Sequence, residues 1–254
     1  MRLLAIGDII GKPGRQVTTK LLPQLREQYR LDLVIANGEN VAGGWGLTPA
    51  TAEELFAAGI DVLTSGNHIW AQKDILPCME GEMPIIRPLN YPDGVPGKGY
   101  IVLKNKAMIV NLMGRTFMSA LDCPFQAMDK LLASLEDKPP IIIVDFHAEA
   151  TSEKVALGWY LDGRVSAVVG THTHVGTVDS RVLPQGTAYV TDIGMAGPID
   201  SVIGDSIDPV IQRFLTRLPH HLSVGSGRKI LNSVLIEIDD GSGRAISIER
   251  IDRE

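Results

Sequence analysis

The chain is 254 residues long, enough to bury a sizeable core without disulfides or a structural metal. Hydrophobic residues make up 44% of it and charged residues 21%, with no low-complexity run, which excludes a disordered chain. Its formal net charge of −6, with no lysine- or arginine-dense stripe, argues against a protein whose main work is gripping an extended nucleic-acid backbone.

In chain order, short apolar runs alternate with glycine-rich turns and amphipathic stretches. Leu3–Ile6 and Leu33–Ala36 read as the first two buried strands. Thr48 followed by Pro49 is an N-cap and first-turn pair for a helix ending at Gly59, and Asp61–Leu63 follows as a strand. Residues 77 to 99, with five prolines and four glycines, read as a long surface connection and not a domain boundary, because apolar segments continue on both sides. Met108–Leu112, Ile141–Val144, Val165–Val169 and Ala188–Val190 are further strands, and Pro124–Glu136 and Pro209–Leu218 are further helices. Ile230–Ile238 and Arg244–Ile251 flank the turn signal DDGSG as an antiparallel hairpin, so a mixed sheet is expected. The alternation predicts an α/β fold, in one domain over residues 1–254.

No apolar run reaches the roughly 18 residues a membrane helix needs. Cys78 and Cys123 have no C-x-x-C partner, and the opening MRLLAIGDIIGKPG is too short for a secretory leader and carries Asp8. A reduced, cytoplasmic setting is the expectation.

Five stretches put polar residues directly after an apolar strand: IGDII with Asp8, ANGEN with Glu39 and Asn40, TSGNH with Asn67 and His68, VDFH with His147, and GTHTH with His172 and His174. A lone Asp or Asn in such a turn ordinarily satisfies backbone amides. An i, i+2 histidine pair in extended backbone points both rings to one side, as metal binding requires. In α/β sheets the carboxyl ends of strands face the crevice where ligands bind, so the five ends are expected to converge. Two ions about 3.5–4 Å apart need a carboxylate bridge, and Glu39 suits it. Mixed nitrogen and oxygen ligands without thiolate favour iron, manganese or zinc.

The series GDII, GEN, GNH, DFH and GTHTH resembles, in order, the motifs D-x-H, GD, GNH, a lone H and GHxH of the calcineurin-like metallophosphoesterases. GDIIGKPGR, ANGENVAGGWGLT, TSGNHIW, LMGRTFM with a nearby CPF, and TDIGMAGP are similar to the YmdB-type cyclic-nucleotide phosphodiesterases, a bacterial branch. Two departures stand out: Ile10 replaces the usual first-motif histidine, and Glu39 replaces the usual bridging aspartate. The resemblance implies a four-layer αββα sandwich with mixed β-sheets. It implies one metal ion held by Asp8, Glu39, Asn40 and His174, and a second held by Glu39, Asn67, His147 and His172. His68 is left as the proton donor. A hydroxide shared by the two ions would attack the phosphorus in line, and a small cyclic nucleotide, 2′,3′-cyclic favoured, would be the substrate.

Asp145 and Asp192 are candidates to orient these ligands. Arg115 is a candidate for touching the substrate phosphate. The apolar segment 113 to 126 suggests a lid or a subunit contact, and through it a homo-oligomer. Gly11, Lys12 and Gly14 match neither nucleotide-loop pattern, and His220 and His221, past a proline, read as exposed. Two other readings compete. One is a regulatory protein that binds a nucleotide or RNA end with little turnover, left open by Ile10. The other is a metal-dependent amide hydrolase, disfavoured because its His-x-His pair commonly follows the first strand.

Overall fold

In a computed structural model, which describes residues 1–103 and 106–254, the elements follow in the order β1 (Arg2–Ile9), α1 (Gly11–Tyr29), β2 (Leu33–Asn37), α2 (Pro49–Ala57), β3 (Val62–Thr64) and α3 (Leu76–Glu80). Next come β4 (Tyr100–Leu103), β5 (Ala107–Met113), α4 (Pro124–Ser134), β6 (Ile141–His147), α5 (Thr151–Leu161), β7 (Ala167–Thr171), β8 (Arg181–Val182) and β9 (Ala188–Val190). Last are β10 (Met195–Pro198), α6 (Ile207–Thr216), β11 (Lys229–Leu231), β12 (Ser233–Ile238) and β13 (Ala245–Arg250).

The strands form two mixed sheets. In the first, β1 pairs in parallel with β2, and β2 with β3. On its other side β1 pairs antiparallel with β12 over Arg2–Ile6 and then parallel with β10 at Asp8 and Ile9. In the second, β5, β6, β7 and β9 run parallel, with β4 and β8 antiparallel at the edges.

Alternation along each strand divides the core in three. Leu4 and Ile6 face Val17, Leu22 and Leu25 of α1, whereas Leu3 and Ala5 join Ile141 and Ile143 between the sheets. Ile142 and Val144 turn the other way, onto Met128 of α4 and Leu157 of α5. Three apolar seams separate four layers, helix, sheet, sheet and helix, as the family resemblance implies.

The elements α1, α3, α5, β4, β8 and β10 lie where the sequence reading placed none, and one expected strand is divided. The longest of these, α1, spans all of GKPGRQVTTKLLPQLREQY. Gly11 enters the helix at φ 51, Pro13 falls in the first turn, where no N–H partner is needed, and Pro23 is accommodated inside. The expected Ile230–Ile238 strand is split at Asn232, because its backbone and side chain are taken by Gly7 and Met195. β11 therefore extends β10, while β12 and β13 form the predicted hairpin.

Candidate metal centre

The parallel strands of both sheets end on one side, and a buried polar seam ties the ends together. Asn37, the last residue of β2, reaches across to Asp145 Oδ2 at 3.3 Å and Thr171 Oγ1 at 3.4 Å. Thr64 of β3 donates to the same carboxylate. Asp8, Glu39, Asn40, Asn67, His68, His147, His172 and His174 all project from this seam.

Their atoms fall in two groups that share Glu39. In the first, His174 Nε2 is 3.6 Å from Asp8 Oδ1 and 3.3 Å from Asn40 Nδ2, which is itself 3.3 Å from Glu39 Oε1. In the second, His147 Nε2 lies 3.1 Å from Glu39 Oε1, 3.1 Å from Asn67 Oδ1 and 3.0 Å from His172 Nδ1. Glu39, His147 and His172 each offer a ligand atom within 4.8 Å of the others.

The outer nitrogen of each histidine fixes the inner one. His147 Nδ1 is 3.0 Å from Thr171 Oγ1, whose proton goes to Asp145 Oδ1 at 2.7 Å; Nδ1 is therefore a donor, and the ring turns Nε2 toward Glu39. His174 Nδ1 donates to Ile203 O at 2.7 Å, which aims Nε2 inward. His172 Nε2 faces Glu149 Oε2 at 3.0 Å, which turns Nδ1 inward to His147 Nε2. Each imidazole has the carboxylate or carbonyl backing that metal-ligating histidines use. Asp8 Oδ1 is fully buried with no hydrogen-bond partner, a costly state that a cation would relieve. The donor set fits a metal. Asn40 turns its Nδ2 to Glu39 and His174 and its Oδ1 to His68, so it must turn over to offer oxygen to an ion.

The electrostatics agree. Burial raises the Asp8 and Glu39 carboxyls, but His174 beside the one and His147 beside the other hold both below the usual carboxylate range. Burial lowers His174, and the Asp8 charge overrides it, pushing the imidazole up to about 9. Burial and the neighbouring His147 take His172 down to about 3. Burial depresses His68, with Glu39 opposing.

The GTHTH turn is strained to deliver its rings. His172 has φ 97 and His174 φ 63, left-handed values unusual for histidine. Asp8 Oδ2 accepts the His172 N–H at 3.1 Å, and Asp192 Oδ2 accepts Thr173 through its N–H at 3.1 Å and its hydroxyl at 2.7 Å. Asp192 thus grips the turn and touches no imidazole, whereas Asp145 acts on His147 through Thr171.

A cavity of about 270 Å³ opens over this centre, walled by Ile10, Trp45, Glu149, Ile203 and Asp205. Ile10, at the position of the family's first-motif histidine, is an apolar wall residue only 3% exposed. The ring of Trp45 leans over His68 with centroids 4.2 Å apart. Arg115 does not line this cavity; its N–H is held by Glu153 at 3.1 Å. Glu149, Asn37 and Trp45 escaped the sequence reading. Glu149 stands two residues past His147, and that spacing was the only available signal.

Two mixed sheets between helices, with carboxylate, amide and imidazole donors at the strand ends, define a metallophosphoesterase of the calcineurin-like kind. The chain belongs to the YmdB-like protein family, whose model matches residues 4–251. It is 48% identical, over 99% of this chain and 96% of the relative, to the 2′,3′-cyclic-nucleotide 2′-phosphodiesterase of Bacillus subtilis. Among solved structures it resembles a hypothetical protein from Thermus thermophilus, with TM-score 0.93 and 44% identity over 100% of this chain and 99% of that one. It also resembles a novel phosphatase from Mycoplasma pneumoniae, with TM-score 0.94 and 36% identity over 100% and 93% of the two chains.

Proposed function

We propose that this chain is a metal-dependent phosphodiesterase that opens small cyclic nucleotides, with 2′,3′-cyclic species its preferred substrates. Three imidazoles carry this reading, each anchored at its outer nitrogen and aiming its inner one at the cluster around the shared Glu39. The activity named for the Bacillus subtilis relative supports the substrate class.

Asp8, Glu39, Asn40 and His174 would hold one ion, and Glu39, Asn67, His147 and His172 a second, with iron or manganese favoured and zinc able to bind. The ions would supply positive charge against which a phosphate is held and a nucleophile is ionised. His68 delivers a proton to the departing oxygen. Its backbone N–H donates to Glu39 Oε2 at 3.1 Å, so the residue is fixed beside the bridge. A ribose alkoxide is a poor leaving group and gains most from such an acid. Among the described residues no helix is long and apolar enough to cross a membrane, and the thiols Cys78 and Cys123 are unpaired, which supports a reducing compartment.

The test is hydrolysis of 2′,3′-cyclic AMP, 3′,5′-cyclic AMP and a nitrophenyl phosphate monoester by metal-stripped protein reloaded with manganese or iron. Metal-dependent turnover of the 2′,3′-cyclic diester above the other two is expected. No turnover of any of them, with both ions bound, would replace this reading with that of a nucleotide-binding regulator.

A further inference from the structure

A second cavity, of about 650 Å³, adjoins the one over the metal centre. Lys12, Arg213, His220 and His221 line it and no acidic residue does, in a chain whose formal net charge is −6. Among the described residues, neither Lys12 nor Arg213 is held in an ion pair. Lys12 lies in the first turn of α1, which has no acidic residue and no side-chain cap, so the positive end of the helix adds to its charge.

The two cavities are held in fixed relation. Trp45 lines both, with 54% of its surface exposed. Gly11, next to Lys12, donates its N–H to Asn40 O at 2.9 Å, which ties the basic wall to the metal centre. The Gly225 N–H donates to Gly204 O and the Ser206 N–H to Ser223 O, both at 2.8 Å, which joins the walls of the two cavities on the opposite side.

An exposed indole thus stands where the cavity over the metal centre meets an unpaired basic groove, and the three chemistries are those of a phosphate, a base and a second phosphate. Indole faces stack on any base, and unpaired lysine and arginine are phosphate donors. On the phosphodiesterase reading, on which this rests, we propose that the groove is a subsite for a second phosphate. The preferred substrate is then a nucleotide bearing two phosphates, with its reacting diester over the metal centre, its base on Trp45 and its other phosphate on Lys12 and Arg213. That second phosphate comes either from a 5′-phosphate on a mononucleotide or from the internal linkage of a short oligonucleotide.

Titration calorimetry on the metal-loaded protein tests this with three probes: adenosine 3′-phosphate, adenosine 3′,5′-bisphosphate, and a phosphorothioate-linked diadenosine ending in a 3′-phosphate. At least one two-phosphate probe is expected to bind tenfold or more tighter than the one-phosphate probe at low salt. The advantage should shrink as salt rises, as phosphate contacts do. K12A/R213A should abolish the advantage, and Trp45→Ala should weaken all three probes by roughly tenfold through lost stacking. A gain with the bisphosphate assigns the groove to a 5′-phosphate, and a gain with the dinucleotide alone assigns it to an internal linkage. Equal affinities for all three probes, or an advantage that survives in K12A/R213A, would overturn the proposal. Failure of the phosphodiesterase reading looks different: cyclic mononucleotides would go unhydrolysed by the wild type whatever the binding pattern.

Discussion

His68 and His174 are both imidazoles at one centre, and their surroundings shift them in opposite directions. Burial lowers the His68 pKa, and a depressed pKa makes a stronger acid of the protonated ring, as a proton donor needs. His68→Ala should keep its metal and lose roughly 10²–10⁴-fold in kcat on a diester with an alkoxide leaving group, and much less on a nitrophenyl ester. Metal analysis beside the kinetics decides the matter, since equal loss of bound ion would make His68 a ligand. His174 stands at about 9 in the metal-free protein, held there by Asp8 against burial. Below that pH its Nε2 carries a proton that an entering ion must displace. Apparent metal affinity should therefore fall as pH drops from 9 to 6, with proton release on binding; a pH-independent affinity measured with a chelator-buffered series would contradict it.

At the level of elements, the site depends on how turns are pinned. Lys154 of α5 and Asp192 after β9 form a fully buried pair at 2.6 Å, and Asp192 also carries the GTHTH turn. Lys154→Met leaves that carboxylate buried without its partner charge and should cost about 3–5 kcal/mol in chemical denaturation. Gly66 is constrained from the other side, because a Cβ there would overlap His147 Cδ2 and Glu39 Oε2. Gly66→Ala should lose metal even where the fold survives, which thermal melting and metal analysis separate. This level also marks what the sequence could tell. Asp8, Glu39, His147 and the histidine pair were legible because parallel strands announce themselves as apolar runs and these polar residues sit at or just past the ends. Glu149 and Asn37 were not, since a single polar residue beyond or within such a run carries no period, and their roles exist only once the two sheets meet. α1 was hidden by its own prolines and glycines, which one-residue propensities count against a helix and the packing of Val17, Leu22 and Leu25 on β1 overrides.

Over the whole molecule, β1 joins the layers. Its Leu4 and Ile6 belong to one apolar seam and its Leu3 and Ala5 to the next, and β6 shares Ile143 with that middle seam while Ile142 and Val144 enter the third. No seam can be opened without uncovering a strand that another needs, so we propose that residues 1–254 unfold as one unit. The metal centre lies across the same junction, with Asp8 and Glu39 from the first sheet and His147 and His172 from the second. An ion bound there acts on the native state and not on the unfolded chain, and at a hundredfold excess over Kd each adds about 2.7 kcal/mol. For a chain of this size that corresponds to a rise in Tm of roughly 5–10 °C. Calorimetry should therefore give a single transition that moves down as one peak when the metal is stripped. Two separating peaks would mean that the sheets melt independently, and an unmoved peak would mean that no ion binds the native state in preference to the unfolded chain.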